Sequence, residues 1–164
     1  MAEFAKLRVG LAQINPTVGA LRENATKILD YYGQAADAGC DVVAFPELSI
    51  TGYPPEDLVL KQGFVAENQL VLGEIVKSIG ETYAVIGFVE QGQKSGELYN
   101  AAAICQNQKV VGVYRKHLLP NYNVFDEQRY FTPGIHNPLF NIKGACVGVT
   151  ICEDIWDSQG PVSV

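Results

Sequence analysis

Three residues of reactive type follow three apolar runs. Glu47 comes just after the run 41–45, closed by Pro46; Lys116 follows the run 110–115; Cys152 follows the run 145–151. A carboxylate, an amine and a thiol at the carboxyl ends of strands is a pattern with chemical meaning, because open α/β sheets build their sites at those ends. A thiol is a weak nucleophile until it ionises. A nearby Lys⁺ would lower its pKa, and a carboxylate would take its proton as general base. The ammonium would also stabilise a developing oxyanion. The set suits acyl transfer through a thioester, provided that the three strands share an orientation. A Cys–His pair is the competing arrangement, with His117 and His136 as the two histidines. No G-x-S-x-G elbow, Walker loop or G-x-G-x-x-G run is present, so serine-hydrolase and nucleotide-binding readings lack support.

The elements that must position these groups are legible in outline. Residues 7–14 read as a strand and 21–38 as a helix, with Leu21, Ala25, Ile28, Leu29, Tyr32 and Ala36 at spacings of three or four. Gly39 is expected to cap that helix. The run 41–45 has the continuous apolar character of a strand buried on both faces. Strand, helix, strand makes a βαβ unit with a parallel pair. A short helix is expected over 56–61 and a longer one over 65–81. A strand follows over 83–89, then a turn over 91–96. Strands over 98–106 and 110–115, joined by Asn107-Gln108-Lys109, should form an antiparallel hairpin. Residues 116–138 form a long loop, a feature that is often functional. Strands over 139–142 and 145–151 around Lys143-Gly144 make a second hairpin.

Composition narrows the partners. The 164 residues are 48% apolar and 18% charged, with a formal net charge of −6. This is a core-forming globular composition. The acidic balance disfavours nucleic acid or an anionic membrane surface. The N-terminal sequence lacks a signal-peptide pattern and no run is long enough for a membrane helix, so a cytoplasmic protein is expected. Cys40, Cys105, Cys146 and Cys152 include no C-x-x-C pair, so no metal site is expected. Cys40, Cys105 and Cys146 are expected as buried free thiols.

Longer stretches around the three reactive residues carry a resemblance. Val43-Ala44-Phe45-Pro46-Glu47-Leu48 with Thr51-Gly52-Tyr53, then Tyr114-Arg115-Lys116-His117-Leu118-Leu119-Pro120, then Val149-Thr150-Ile151-Cys152-Glu153-Asp154-Ile155-Trp156, resemble the glutamate, lysine and cysteine blocks of the nitrilase (carbon–nitrogen hydrolase) superfamily. Within it, Tyr53-Pro54-Pro55-Glu56-Asp57-Leu58 and the run Leu119 to Phe131 are similar to the glutaminase domains of glutamine-dependent NAD⁺ synthetases. The resemblance runs from Leu7 to about Pro161.

It implies an α/β fold of the nitrilase type, an αββα four-layer sandwich with mixed sheets. It implies Cys152 as nucleophile on the side-chain amide of glutamine and Glu47 as general base. Lys116, with the backbone N–H beside Cys152, becomes the oxyanion donor. Glu127 matches a second glutamate near the triad, and Tyr122, Glu127 and Glu153 become the substrate-binding candidates. Ammonia would pass to an ATP-dependent synthetase domain making NAD⁺ from deamido-NAD⁺. ATP and Mg²⁺ belong to that domain, and no cofactor is expected in residues 1–164. These residues are expected to be the N-terminal portion of the glutaminase domain, its sandwich incomplete. A homo-oligomer is expected from the family habit. Two other readings remain: an amidase or nitrilase of another branch, and a non-catalytic association fragment.

Overall fold

The structure is a computed structural model and describes residues 6–94, 96–158 and 160–162. Residues 1–5 of the N-terminal reading, Ser95 of the turn at 91–96, and Gln159 near the end of the family resemblance lie outside it.

The β-strands are β1 (Val9–Leu11), β2 (Val42–Ala44), β3 (Tyr83–Gln91), β4 (Leu98–Gln106), β5 (Lys109–Arg115), β6 (Leu139–Ile142) and β7 (Ala145–Gly148). Helix α1 spans Leu21–Asp37 and α2 spans Gln62–Val76. A single-turn 3₁₀ segment covers Glu56–Leu60, and shorter ones cover Glu127–Arg129 and Cys152–Ile155. The main sheet has the order β1-β2-β3-β4-β5; β6 and β7 form a separate pair.

β1, β2 and β3 run parallel, β4 is antiparallel to β3, and β5 is antiparallel to β4. β2 and β5 therefore point the same way, and the residues after them emerge at one edge. This is the shared orientation that convergence of Glu47 and Lys116 requires. The expected βαβ unit is present, and α1 ends as read. The Gly39 amide donates to Ala36 O and the Cys40 amide to Ala35 O, the paired closure of a Schellman motif.

Side chains alternate across the sheet with period two. Ala84, Ile86, Phe88, Ala101, Ala103 and Cys105 face Ile28, Tyr32, Val71 and Ile75 of the helices. On the other face, Val85, Ala102, Ile104 and Tyr114 pack with Phe140, Val149 and Ile151. The described residues thus form a helix layer, a five-stranded mixed sheet and, beyond it, a separate two-stranded sheet. The α/β class is as expected.

Several boundaries differ from the sequence reading. β1 has three residues rather than eight, and α2 begins at Gln62 and ends at Val76. β7 stops at Gly148, because its partner β6 pairs no further than Leu139. Cys152 therefore does not sit at a strand end but opens a 3₁₀ turn after an extended link. Cys146 lies exposed on β7 and Cys40 is half-buried; only Cys105 of the three is a core thiol. Strand alternation turns Cys146 outward, which its apolar neighbours did not reveal.

Candidate active site

Glu47 is delivered by a tight crossing of the chain over β3. Leu48 adopts a left-handed conformation, φ 48°. Ile50 N–H and Ser49 Oγ–H both donate to Gly87 O, at 3.1 and 3.2 Å. A Cβ at position 87 would run into Leu48 N and sit 2.6 Å from Pro46 O, so only glycine admits the crossing. The turn is tied to α1 by Asn24, whose buried amide donates to Ile50 O at 3.0 Å and to Thr17 O at 2.8 Å.

Lys116 is held by its backbone on both sides. Its N–H donates to Asn100 O at 2.9 Å, and its own carbonyl accepts Gly134 N–H at 2.8 Å. The loop carrying Gly134 packs so closely that a Cβ there would overlap the Arg115 carbonyl. The Lys116 side chain is fully buried and lies between two carboxylates. Nζ donates to Glu47 Oε1 at 2.6 Å and to Glu127 Oε1 and Oε2 at 2.9 and 3.0 Å. Burial opposes its charge, but Glu47 and Glu127 outweigh burial and raise its pKa above the usual lysine value.

Glu127 is 5% exposed and also accepts the Tyr53 hydroxyl at 2.8 Å. Burial, then the charge of Glu47, raises its pKa against the opposing pull of Lys116. Asn100, in the middle of the apolar strand β4, donates from Nδ2 to Glu47 Oε1 at 2.6 Å and, at 3.4 Å, to Glu127 Oε2.

Cys152 shares a cavity of about 360 Å³ with Glu47, between the main sheet and β7. Its backbone is left-handed, φ 47°, a conformation that a non-glycine residue holds only against local strain. The surrounding framework is supplied by Asp154. This carboxylate is fully buried and accepts Tyr114 O–H at 2.6 Å, Ile151 N–H at 3.0 Å, His117 N–H at 3.1 Å and Leu118 N–H at 2.9 Å. One side chain thus fastens the cysteine turn to the segment that continues from Lys116.

The thiol differs from the expectation that Lys116 would lower its pKa. Its pKa is raised, first by partial burial and then by Glu47, with Lys116 only partly offsetting them. Lys116 pulls the other way, but its ammonium is paired with Glu47 and Glu127. A thiol whose pKa is raised needs a proton acceptor before it can attack, a task that suits Glu47. The charges acting on it are those of Glu47, Lys116 and Glu127. His117 instead stacks on Tyr114, ring centroids 5.6 Å apart, with Nε2 3.2 Å from His136 O.

The substrate-contact candidates separate into two places. Tyr122 and Glu153 line a cleft of about 690 Å³ whose lining includes neither Cys152 nor Glu47, and the Tyr122 hydroxyl donates to Glu153 Oε2 at 2.9 Å. Glu127 is not on that cleft; its oxygens are engaged by Lys116 and Tyr53, because the 3₁₀ turn at Glu127–Arg129 points it inward. Tyr53, Asn100, Tyr114 and Asp154 were missed as site residues. The signal for Asn100 was a lone amide inside an apolar strand; the other three stood within the motif blocks, unassigned. Among the described residues, no group of three or more His, Cys, Asp or Glu side chains is arranged to hold a metal ion. Nor is any helix among them long and apolar enough to cross a membrane.

Similarity to known proteins bears on the fold and the family. The carbon–nitrogen hydrolase family profile matches residues 8–162. Glutamine-dependent NAD⁺ synthetase of Thermotoga maritima is 45% identical over 159 residues, which cover 95% of this chain and 27% of that protein. The solved structure of glutamine-dependent NAD⁺ synthetase from Acinetobacter baumannii, in complex with ADP, superposes with a TM-score of 0.87 at 40% identity, covering 92% of this chain and 28% of that one. An amidase from Nesterenkonia sp. shares the fold, with a TM-score of 0.80 at 20% identity over 93% of this chain and 58% of its own. The chain thus spans little more than a quarter of the length of the synthetases it matches. Fold, profile and relatives agree: the chain belongs to the carbon–nitrogen hydrolase family.

Proposed function

We propose that this chain is the glutamine-hydrolysing part of a glutamine-dependent NAD⁺ synthetase. The observation that carries the chemistry is the buried contact of Lys116 with Glu47, beside the cavity that Glu47 shares with Cys152. The choice of glutamine is supported by 45% identity to a protein of that name.

In this reading Glu47 takes the Cys152 thiol proton, and the thiolate attacks the side-chain carbonyl carbon of glutamine. The carbonyl electron pair moves onto oxygen, where Lys116 and the backbone N–H next to Cys152 stabilise it. Glu47 returns the proton to the amide nitrogen as the C–N bond breaks and ammonia leaves. Water, deprotonated by Glu47, then attacks the γ-glutamyl thioester; the C–S bond breaks, and glutamate and the thiol are restored. Tyr122 and Glu153 contact the bound glutamine. Ammonia passes to a synthetase domain, which uses ATP and Mg²⁺ to amidate deamido-NAD⁺.

The test is a glutamine analogue bearing an electrophilic diazoketone. It should alkylate Cys152 and abolish glutamine hydrolysis. Labelling that persists in Cys152→Ala overturns the assignment of the nucleophile. Equal turnover of simple aliphatic amides, with no preference for glutamine, would instead indicate an amidase of another branch.

A further inference from the structure

A second cavity lies behind Lys116. It encloses about 380 Å³ between β5 and the segment 132–138, and it shares no lining residue with the cavity of Cys152 and Glu47. Tyr99 and Val113 of its lining belong to the sheet face that packs on the helices. Val85 and Ala102 of the Cys152 cavity belong to the opposite face. The sheet itself separates the two.

The polar groups of this cavity are held from outside it. The Arg115 guanidinium lies over the Tyr99 ring, 4.1 Å from its centroid. Arg115 Nε and Nη2 donate to the two oxygens of Glu90 at 2.6 and 2.8 Å. The Tyr99 hydroxyl is engaged by the Glu97 side chain. Neither carboxylate lines the cavity. Both lining groups are thus oriented in advance, which spares a ligand the cost of ordering them. The pair with Glu90 uses one side of the guanidinium and leaves Nη1 without an acceptor among the described residues. His136 brings a ring donor of its own to the same cavity.

The opposing wall is apolar, with Val113, Pro133 and Ile135, and Ile135 is 79% exposed at the lip. An apolar wall with a few placed donors is the usual composition of a small-molecule pocket. Charge narrows the ligand. Glu90 already balances Arg115, and Glu97 acts on it as well, so the open N–H edge suits one negative charge and not two. Shape narrows it further, because a planar ligand keeps the most contact with a flat guanidinium and ring.

We propose that this cavity is a binding site for an aromatic monocarboxylate, its ring against Val113 and Ile135 and its carboxylate on Arg115 Nη1 and His136. Gly134, in the lining, donates its N–H to Lys116 O, so an occupant bears on the segment that holds the lysine backbone. Binding here does not depend on glutamine hydrolysis.

Benzoate is the probe, titrated into the intact protein at neutral pH and followed by saturation-transfer NMR. Half-saturation is expected at about 0.1–1 mM, a range open to so small a ligand. Benzamide keeps the ring without the charge and should bind at least about tenfold more weakly. Cyclohexanecarboxylate keeps the charge without the flat ring and should be weaker by about threefold or more. Ile135→Glu puts a carboxylate at the exposed lip and should weaken benzoate by about tenfold, whereas Ile135→Lys should not weaken it. Arg115→Met should abolish binding; if that variant does not fold, the Ile135 pair decides. Cys152→Ala and Glu47→Gln should leave the affinity within about twofold of the wild type, and a larger change would place benzoate in the catalytic cavity and overturn the proposal. Equal binding of benzoate and benzamide, equal affinity of the two Ile135 variants, or no saturation by about 10 mM benzoate would also overturn it. Displacement of benzoate by inorganic phosphate, or parity with cyclohexanecarboxylate, would overturn the assignment to an aromatic monoanion.

Discussion

The hydroxyl of Tyr114 donates to Asp154 Oδ2 at 2.6 Å, joining the strand that leads to Lys116 to the turn that Cys152 opens. The two residues are 40 positions apart, and both are buried. Through this bond and three backbone N–H donors, Asp154 fastens the turn of Cys152 to the segment that carries Lys116.

Asp154→Ala should therefore be severe. It strands a buried hydroxyl and backbone donors at once, and stability should fall by roughly 3–5 kcal/mol. Tyr114→Phe removes one donor and leaves the carboxylate its backbone partners, at a cost of about 1–2 kcal/mol. Urea denaturation of both variants checks the order. Equal losses would mean that the backbone donors do not depend on Asp154.

Glu47→Gln separates two properties of the cysteine. Removing the carboxylate's charge removes one cause of the raised thiol pKa, so iodoacetamide should label Cys152 faster at pH 7 than in the wild type. Glutamine hydrolysis should nonetheless fall by about 10²-fold or more, because the thiol proton has lost its acceptor. Slower labelling in Glu47→Gln would contradict the electrostatics described for the site.

Glu127 gives the protein a pH signature in stability. Its folded pKa is raised above the ordinary value of 4.5, so the native state retains a proton that the unfolded chain has released. Stability contributed by this group is thus greatest at low pH and declines as pH climbs from about 4.5 toward the folded value. Glu127→Gln should flatten that decline. The comparison is of urea midpoints across this range; parallel curves for the two proteins would sink the idea.

Gly87→Ala tests the crossing that delivers Glu47. The new methyl meets backbone atoms of Pro46 and Leu48, which cannot rotate away. A stability loss of about 2 kcal/mol is expected. Activity should fall further, by about 10²-fold, because a carboxylate displaced by 1 Å no longer meets the thiol. Thermal unfolding and glutamine turnover together read the two effects. Full activity at reduced stability would show that the crossing does not set the position of the base.

Much of this was legible in the sequence because it depends on local rules. The 3.6-residue spacing of Leu21, Ala25, Ile28 and Tyr32 specifies a helix with one apolar face. The βαβ unit, the hairpin of β4 and β5, and the emergence of Glu47 and Lys116 after two strands follow from short-range pattern and turn chemistry. The motif blocks named the family, which the profile match over residues 8–162 bears out.

What tertiary structure alone decided is how those groups act on one another. Lys116 meets Glu47 across 69 positions of sequence, and Tyr53 meets Glu127 across 74. Burial and charge at such contacts set the proton affinity of Cys152, and here partial burial and then Glu47 raise it against the pull of Lys116. The same holds for the exposed Cys146 and for the inward turn of Glu127. The sequence determined which reactive residues the strands carry, through local periodicity and motif. Electrostatic energy depends on distance and solvent exclusion, and neither exists until the chain has folded.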